Sequence, residues 1–425
     1  MADGTYGSNL QYLHPHMETS IVDNSVVTET AIVTQGTRLF MPFFSSKGLD
    51  NKIQAFTTQA QLLAEYGTPN FRDHGQAIYN ALNFVSNGGT VYAMRLLPEG
   101  AKFANQAVIA NFGTGTPAGE GGSGVEQDPM TGRYIVYAID DEDIAIASLD
   151  EEEKQVKQDT QEEEDPSLKV AVVRPLDDPQ SIPTSAASAK EFPILSIRAK
   201  GRGVYGNKLA FSLEVEHGLD DTYDFVVYNL RVFEVTKGGQ SLVEGPYQVA
   251  LLPEAVNTAG ASLYIKNIID RYSSRIQVEV NEANLDMAYD RLQELHDAEL
   301  EKLLADNPDY KETKEFIPYD VDVFGLGDSN NAVAAVLAGG KDGGEEKGDK
   351  LSESQKAELL IKALSGQAPF DTSIAHKREF PFDVLLDANF PAEVKKEMAA
   401  LAARRGDCMA FLDCGIAASN ADEAL

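Results

Sequence analysis

Phe382-Asp-Val-Leu-Leu-Asp387, the segment Pro391 to Arg405, and Cys408-Met-Ala-Phe-Leu-Asp413 together decide how the fold is read. The first run is apolar, too short for a helix and bounded by Pro381 and Asp387-Ala-Asn389, so it reads as a buried strand. Pro391 stands where a first helical residue tolerates a missing N–H, with Asn389 upstream as a cap, and Val394, Met398, Leu401 and Ala402 recur at helical spacing. Arg404 and Arg405 put positive charge in the last turn, Gly406 ends the helix, and a second apolar run follows. A strand, helix, strand unit of this length implies a parallel, right-handed crossover.

The 425 residues, 43% of them hydrophobic, suffice for two or three domains with real cores. The expected class is α/β (α+β) and multidomain, with mixed-sheet core domains and a β-rich insertion domain. Residues 1–30 read as an extended arm, 31–100 plus 191–282 as a first core domain, 101–190 as the acidic insertion and 283–425 as a second core domain. A formal charge of -31 argues against nucleic acid as a partner, because phosphate neutralisation needs clustered Lys and Arg. The two cysteines, Cys408 and Cys414, match no metal or redox spacing and read as reduced packing residues. The start carries no basic and apolar leader, and no window is long and apolar enough to span a bilayer, so no membrane insertion is expected.

Residues 1 to about 30 are β-rich and carry Pro15, without a local partner, which leaves two readings: a loose terminus, or an arm that adds a strand to another subunit's sheet. For the arm, Leu10, Tyr12, Leu13, Ile21, Val22, Val26 and Val27 are the candidate contact residues. Arg38-Leu-Phe-Met-Pro-Phe-Phe44 is strand-like. A short helix over Thr57 to Tyr66 is expected to turn Ala60, Leu63 and Ala64 inward. Asp73 is a plausible cap for the next helix, whose stripe is Ala77, Ile78, Ala81, Leu82 and Val85. Asn87-Gly-Gly89 ends it, and Thr90 to Leu97 is a strand.

From Glu120 to Asp165 there are 16 acidic residues against three basic ones, so this segment is solvated. Asp140-Asp-Glu-Asp143 lacks the alternating spacing that wraps a calcium ion. Gly201, Gly203 and Gly206 have dinucleotide-motif spacing, but the alternating strand pattern from Asn207 to Glu216 supplies no helix N-terminus for a pyrophosphate. Strands follow over Tyr223 to Val235, and an amphipathic helix over Ser262 to Arg271. A helix over Asn284 to Asp306 carries its stripe on Leu285, Ala288, Leu292, Leu295 and Leu303. Ala332 to Gly340 is an apolar stretch feeding a glycine-rich loop, and Ser352 or Ser354 caps a helix running to Leu364.

The six histidines are scattered without metal spacing, and no nucleophile elbow precedes a helix. No cofactor is implied. Asp387 and Asp413 end parallel strands, where α/β enzymes keep catalytic groups, and an α/β enzyme built on that pair is the alternative from another class.

Several of these segments together resemble the tail sheath proteins of contractile bacteriophages (myoviruses). Ala403-Arg-Arg-Gly-Asp-Cys-Met-Ala-Phe-Leu-Asp413 is similar to that family's A-x-R-G-D-x-x-A-x-L-D segment. Tyr66-Gly-Thr-Pro69, Asn87-Gly-Gly89 and Tyr92-Ala-Met-Arg95 fall in the family's order, Gly203 to Val215 is similar to G-x-W-G-N-x-L-x-V with Tyr205 for Trp, and the Gly339 to Gly344 loop is similar to its Gly-rich turn. The resemblance covers most of residues 20–418 and is weak through the acidic insertion. It implies a virion subunit made in the host bacterial cytoplasm, joined by terminal arms to copies of itself around a tail tube protein, with baseplate and tail terminator proteins as further partners. It also implies contraction that drives the tube through the host envelope for genome ejection, using energy stored in a bistable packing and no hydrolysis. The sheath of a type VI secretion system or contractile bacteriocin is the near alternative. Sheath proteins continue beyond this point into a further domain that receives the arms, so this chain alone is expected to be monomeric or weakly associating.

Overall fold

Arg38-Leu-Phe-Met-Pro-Phe43 shows no alternation of apolar and polar residues because both faces of the strand it forms are covered. In a computed structural model of the chain, the described residues are 36–112, 125–127, 134–136, 169–176, 191–216, 222–236, 239–307, 316–326, 332–347 and 349–413. The candidate arm residues Leu10, Tyr12, Leu13, Ile21, Val22, Val26 and Val27, most of the acidic insertion, and Cys414 lie outside them.

The first elements are β1 (Arg38–Phe43), β2 (Ile53–Phe56), α1 (Gln59–Tyr66), α2 (Phe71–His74), α3 (Ala77–Ser86) and β3 (Thr90–Arg95). Then come β4 (Asn105–Asn111), β5 (Val125–Gln127), β6 (Tyr134–Val136), β7 (Lys169–Arg174), β8 (Glu191–Ala199), β9 (Leu209–Val215), β10 (Tyr228–Thr236) and β11 (Gly239–Val249). The remainder is α4 (Ile265–Tyr272), β12 (Ile276–Val280), α5 (Glu282–Asp306), β13 (Ala332–Val336), α6 (Glu353–Ser365), β14 (Val384–Leu386), α7 (Ala392–Arg405) and β15 (Met409–Phe411). The fold is α+β.

One sheet has the order β15-β14-β1-β3-β2, parallel throughout except at β2. Leu39, Met41 and Phe43 pack with α1 and α3 on one face, while Phe40 packs with α6 and α7 on the other. Two antiparallel sheets, β12-β8-β4-β7 and β11-β10-β9-β13, share a second apolar core with α4 and α5. β5 and β6 pair antiparallel.

The inward stripe of α3 is the expected one, Ala77, Ile78, Ala81, Leu82 and Val85, all buried. α6 starts at Ser352 in a capping box with Gln355 and stops at a left-handed Gly366. Elsewhere local pattern misleads. α1 buries Leu62 and Tyr66 and leaves Ala60, Leu63 and Ala64 exposed, because Tyr66 seats its ring 4.9 Å from that of Phe43 and 5.4 Å from that of Phe56. An eight-residue helix has two candidate stripes, and the aromatic cluster selects one. Asp73 does not cap α3; it lies inside α2, a single turn capped by Asn70, and α3 begins after Gln76 with no side-chain cap. On α5 the buried residues are Asn284, Leu285, Ala288, Tyr289 and Leu292, whereas Leu303 is exposed, since the 25-residue helix outruns the sheets it packs on.

The glycine-rich stretch before β9 forms a five-residue 3-10 turn, Val204–Lys208, and no α-helix. Its glycines serve close approach. Gly203 has φ +116°, and a Cβ there would lie 2.3 Å from Asp342 Oδ1. That approach encloses Arg95 at the end of β3. The guanidinium, 1% exposed, donates from Nε to Ser45 O (3.1 Å) and from Nη1 to Gly48 O (3.0 Å) and Arg202 O (2.8 Å). Its Nη2 lies 3.7 Å from Asp342 Oδ1, which also accepts from Val204 N–H (3.1 Å). Arg202 in turn pairs with Asp50 at 2.6 Å.

Arg95 therefore ties the loop after β1, the loop before β9 and the loop after β13. Replacing it leaves buried carbonyls and a half-buried carboxylate without their cation, so Arg95→Met is expected to lose about 3–5 kcal/mol in urea unfolding. Arg95→Lys should recover little of that, because an ammonium cannot reproduce the planar fork. A loss below about 1 kcal/mol for Arg95→Met, the size of one ordinary net hydrogen bond, would contradict this role.

Candidate inter-subunit surface

The β14, α7, β15 unit is built as its sequence suggests, with β14 and β15 parallel and Val384, Leu385 and Leu386 opposite Met409, Ala410 and Phe411. α7 buries Val394, Met398 and Leu401 and ends at Gly406, whose φ of +64° lets its N–H return to Ala402 O. Asn389 is not its cap. It takes a φ of +61° in the turn, and Pro391 occupies the N-cap position with no side-chain bond.

Arg405 lies in the last turn of α7, as expected, and is 1% exposed. Its guanidinium lies 3.9 Å from the Phe382 ring centroid and donates to Phe380 O at 2.9 Å and to Ile374 O. The Asp407 carboxylate receives two more bonds, each 3.0 Å. Arg405-Gly406-Asp407 is thus a clamp: the arginine crosses the core, the glycine reverses the chain, and the aspartate closes on the arginine.

This clamp delivers β15 to the sheet edge, where among the described residues no strand lies on its outer side. Met409 N–H donates to Asp383 O at 2.9 Å and Phe411 O accepts from Asp387 N–H at 2.9 Å. In a parallel ladder the intervening residue Ala410 then turns its backbone groups outward. Met409 is 61% exposed, Phe411 52% and Leu412 41%. An exposed apolar edge is what strand addition uses. Beside it, Phe84, Asn80 and Asn83 of α3 with Leu386, Phe411 and Leu412 line an open groove of about 510 Å³. The run was expected to be apolar, but no local signal distinguishes an edge strand from an interior one.

Comparison with known proteins adds little at this point. No family model matches the chain, and no curated protein matches it. Among solved structures it is similar to a sheath tail protein from Listeria innocua, at 10% identity and a TM-score of 0.30, over 87% of this chain and 44% of that one. It is likewise similar to a sheath tail protein from Desulfitobacterium hafniense, at 11% identity and a TM-score of 0.32, over 88% of this chain and 46% of that one. The chain therefore spans less than half the length of either. Likenesses of that score carry no weight for fold or function.

The alternative enzyme reading rested on Asp387 and Asp413. Asp387 is committed to structure: its carboxylate accepts from Phe390 N–H (3.0 Å) and Asp413 N–H (3.1 Å) and pairs with Lys395 Nζ (2.7 Å). Lys395 also reaches Asp413 O at 2.7 Å. Burial works to raise the Asp387 pKa, but Lys395 and the two N–H groups outweigh it and hold the carboxyl below the usual range. A carboxylate so held locks the end of β15 and is a poor proton donor.

Its folded-state value is depressed, so the stability it contributes is present above the unfolded value of about 3.9 and is lost as pH falls through the folded one. Stability of the wild type is therefore expected to drop below about pH 4, and Asp387→Asn should flatten that drop. Parallel urea titrations at pH 7 and pH 3 check this; equal acid sensitivity in the two proteins would remove the lock.

Proposed function

We propose that the chain is a structural subunit of a contractile phage tail sheath, acting by packing beside copies of itself around a tail tube. The observation that carries this reading is the β15 edge, where outward backbone groups at Ala410 are flanked by exposed Met409 and Phe411. The residues that carry the sequence resemblance support it, since Arg95 and Arg405-Gly406-Asp407 each have a definite structural task. In this reading the arm residues Leu10, Tyr12, Leu13, Ile21, Val22, Val26 and Val27 of one copy extend the sheet of another. The acidic stretch from Glu120 to Asp165 faces away from the tube, where solvation and mutual repulsion are tolerated. No bond-making chemistry is required, because a packing with two arrangements stores the energy of contraction.

Two experiments test the reading. A fluorescent peptide covering residues 8–30 is expected to bind the chain, and Ala410→Pro, which removes an outward N–H donor from the edge, should weaken it at least tenfold, or about 1.4 kcal/mol. Unaltered binding to the proline variant, whose fold circular dichroism would monitor, would sink strand addition at this edge. Electron microscopy of the full-length gene product should show striated tubes; discrete globular particles at all concentrations would count against a sheath.

A further inference from the structure

The junction beside Arg95 encloses a second feature that the sheath reading does not use. A pocket of about 210 Å³ lies between the loop after β1, the end of α1 and the ends of β8 and α4, with four basic side chains, Lys47, Lys200, Arg202 and Arg275, and one acidic one, Glu65. In a chain with a formal charge of -31 such a local excess of cations is not a consequence of composition.

Two of the four cations are already used. Arg202 pairs with Asp50 at 2.6 Å, and Lys200 Nζ donates to Ser273 O at 2.9 Å. The lone lining acid, Glu65, receives Leu49 N–H at 2.9 Å. Lys47 and Arg275 have no ion pair among the described residues. Lys47 is half-buried, with its ammonium 5.3 Å from the Tyr205 ring centroid. Burial first, and then Arg275, push the Lys47 pKa down, while Glu234 and Glu65 pull the other way. Two cations thus face one small cavity and repel each other across it. Of the fillings open to such a space, water leaves that repulsion in place and an anion removes it.

We propose that this pocket is an oxyanion site in which Lys47 and Arg275 clamp a carboxylate or phosphate group, with Lys200 and Arg202 adding to the field. Its volume leaves room for one such group with part of its hydration. The group can come from an acidic side chain of a neighbouring protein or from free phosphate, and the two sources are separable.

The test is calorimetric titration of the full chain at fixed low ionic strength, once with sodium phosphate and once with tetraglutamate. Wild-type protein should bind at least one of them, and Lys47→Gln and Arg275→Gln should each weaken that binding at least fivefold. Lys302→Gln, which removes one charge from the exposed part of α5, should leave it unchanged. Binding of phosphate alone assigns the site to a free anion, binding of tetraglutamate alone assigns it to a protein carboxylate, and binding of both assigns it to oxyanions in general. Because Lys47→Gln relieves a repulsion, its thermal midpoint should not fall below that of wild type, and whichever compound binds should raise the wild-type midpoint more than that of the variant. No binding of either compound, or equal weakening by Lys302→Gln, overturns the proposal.

Discussion

A single buried guanidinium holds the architecture together. Arg95 leaves the end of β3 and donates to carbonyls at Ser45, Gly48 and Arg202, with Asp342 as its counter-charge. These groups come from three loops far apart in sequence, and none of them is part of a sheet ladder. Arginine suits this task because its planar fork offers donors in fixed directions and keeps its charge when buried. Burial lowers its pKa, and Asp342 and Asp50 act against that. The glycines at 203 and 340 let the loops close around it: a Cβ on Gly340 would lie 2.5 Å from Gly203 O.

A second guanidinium does for the sheet edge what the first does for the junction. Arg405 stacks on Phe382, satisfies carbonyls at Ile374 and Phe380, and is held by Asp407. With Asp387 and Lys395 bonding to the end of the strand, β15 is fixed at both ends although it spans three residues and has one neighbour among the described residues. A short exposed edge held this firmly presents its unpaired groups in a set register, and strand addition rewards that order, because little entropy remains to be lost on pairing.

The rigid edge and the acidic surface act on assembly in opposite senses. Strand addition is short-ranged and directional, whereas repulsion between chains of charge -31 is long-ranged and weakened by salt. Pairing at such an edge requires alignment, and the net charge disfavours contact without it. The cationic pocket near Lys47 and Arg275 is a local exception to that field.

Much of this was legible in the chain itself. The strand, helix, strand order of Phe382 to Asp413, the stripe of α3, the Ser352 cap and the glycine stop at Gly406 follow from periodicities and terminators that act over a few residues. The alternating pattern from Asn207 to Glu216 was likewise legible as a strand, and it forms β9. Other outcomes depended on partners distant in sequence. The inward face of α1 was set by Phe43 and Phe56, the burial of Arg405 by Phe382 and Phe380, and the exposure of Met409 and Phe411 by the absence of a described strand beyond β15. Local pattern determines which elements form, because backbone propensity and capping are short-range. Which face is buried, which arginine turns inward and which strand stands at the edge are decided only when segments hundreds of residues apart meet, because burial is a property of the neighbour and not of the residue.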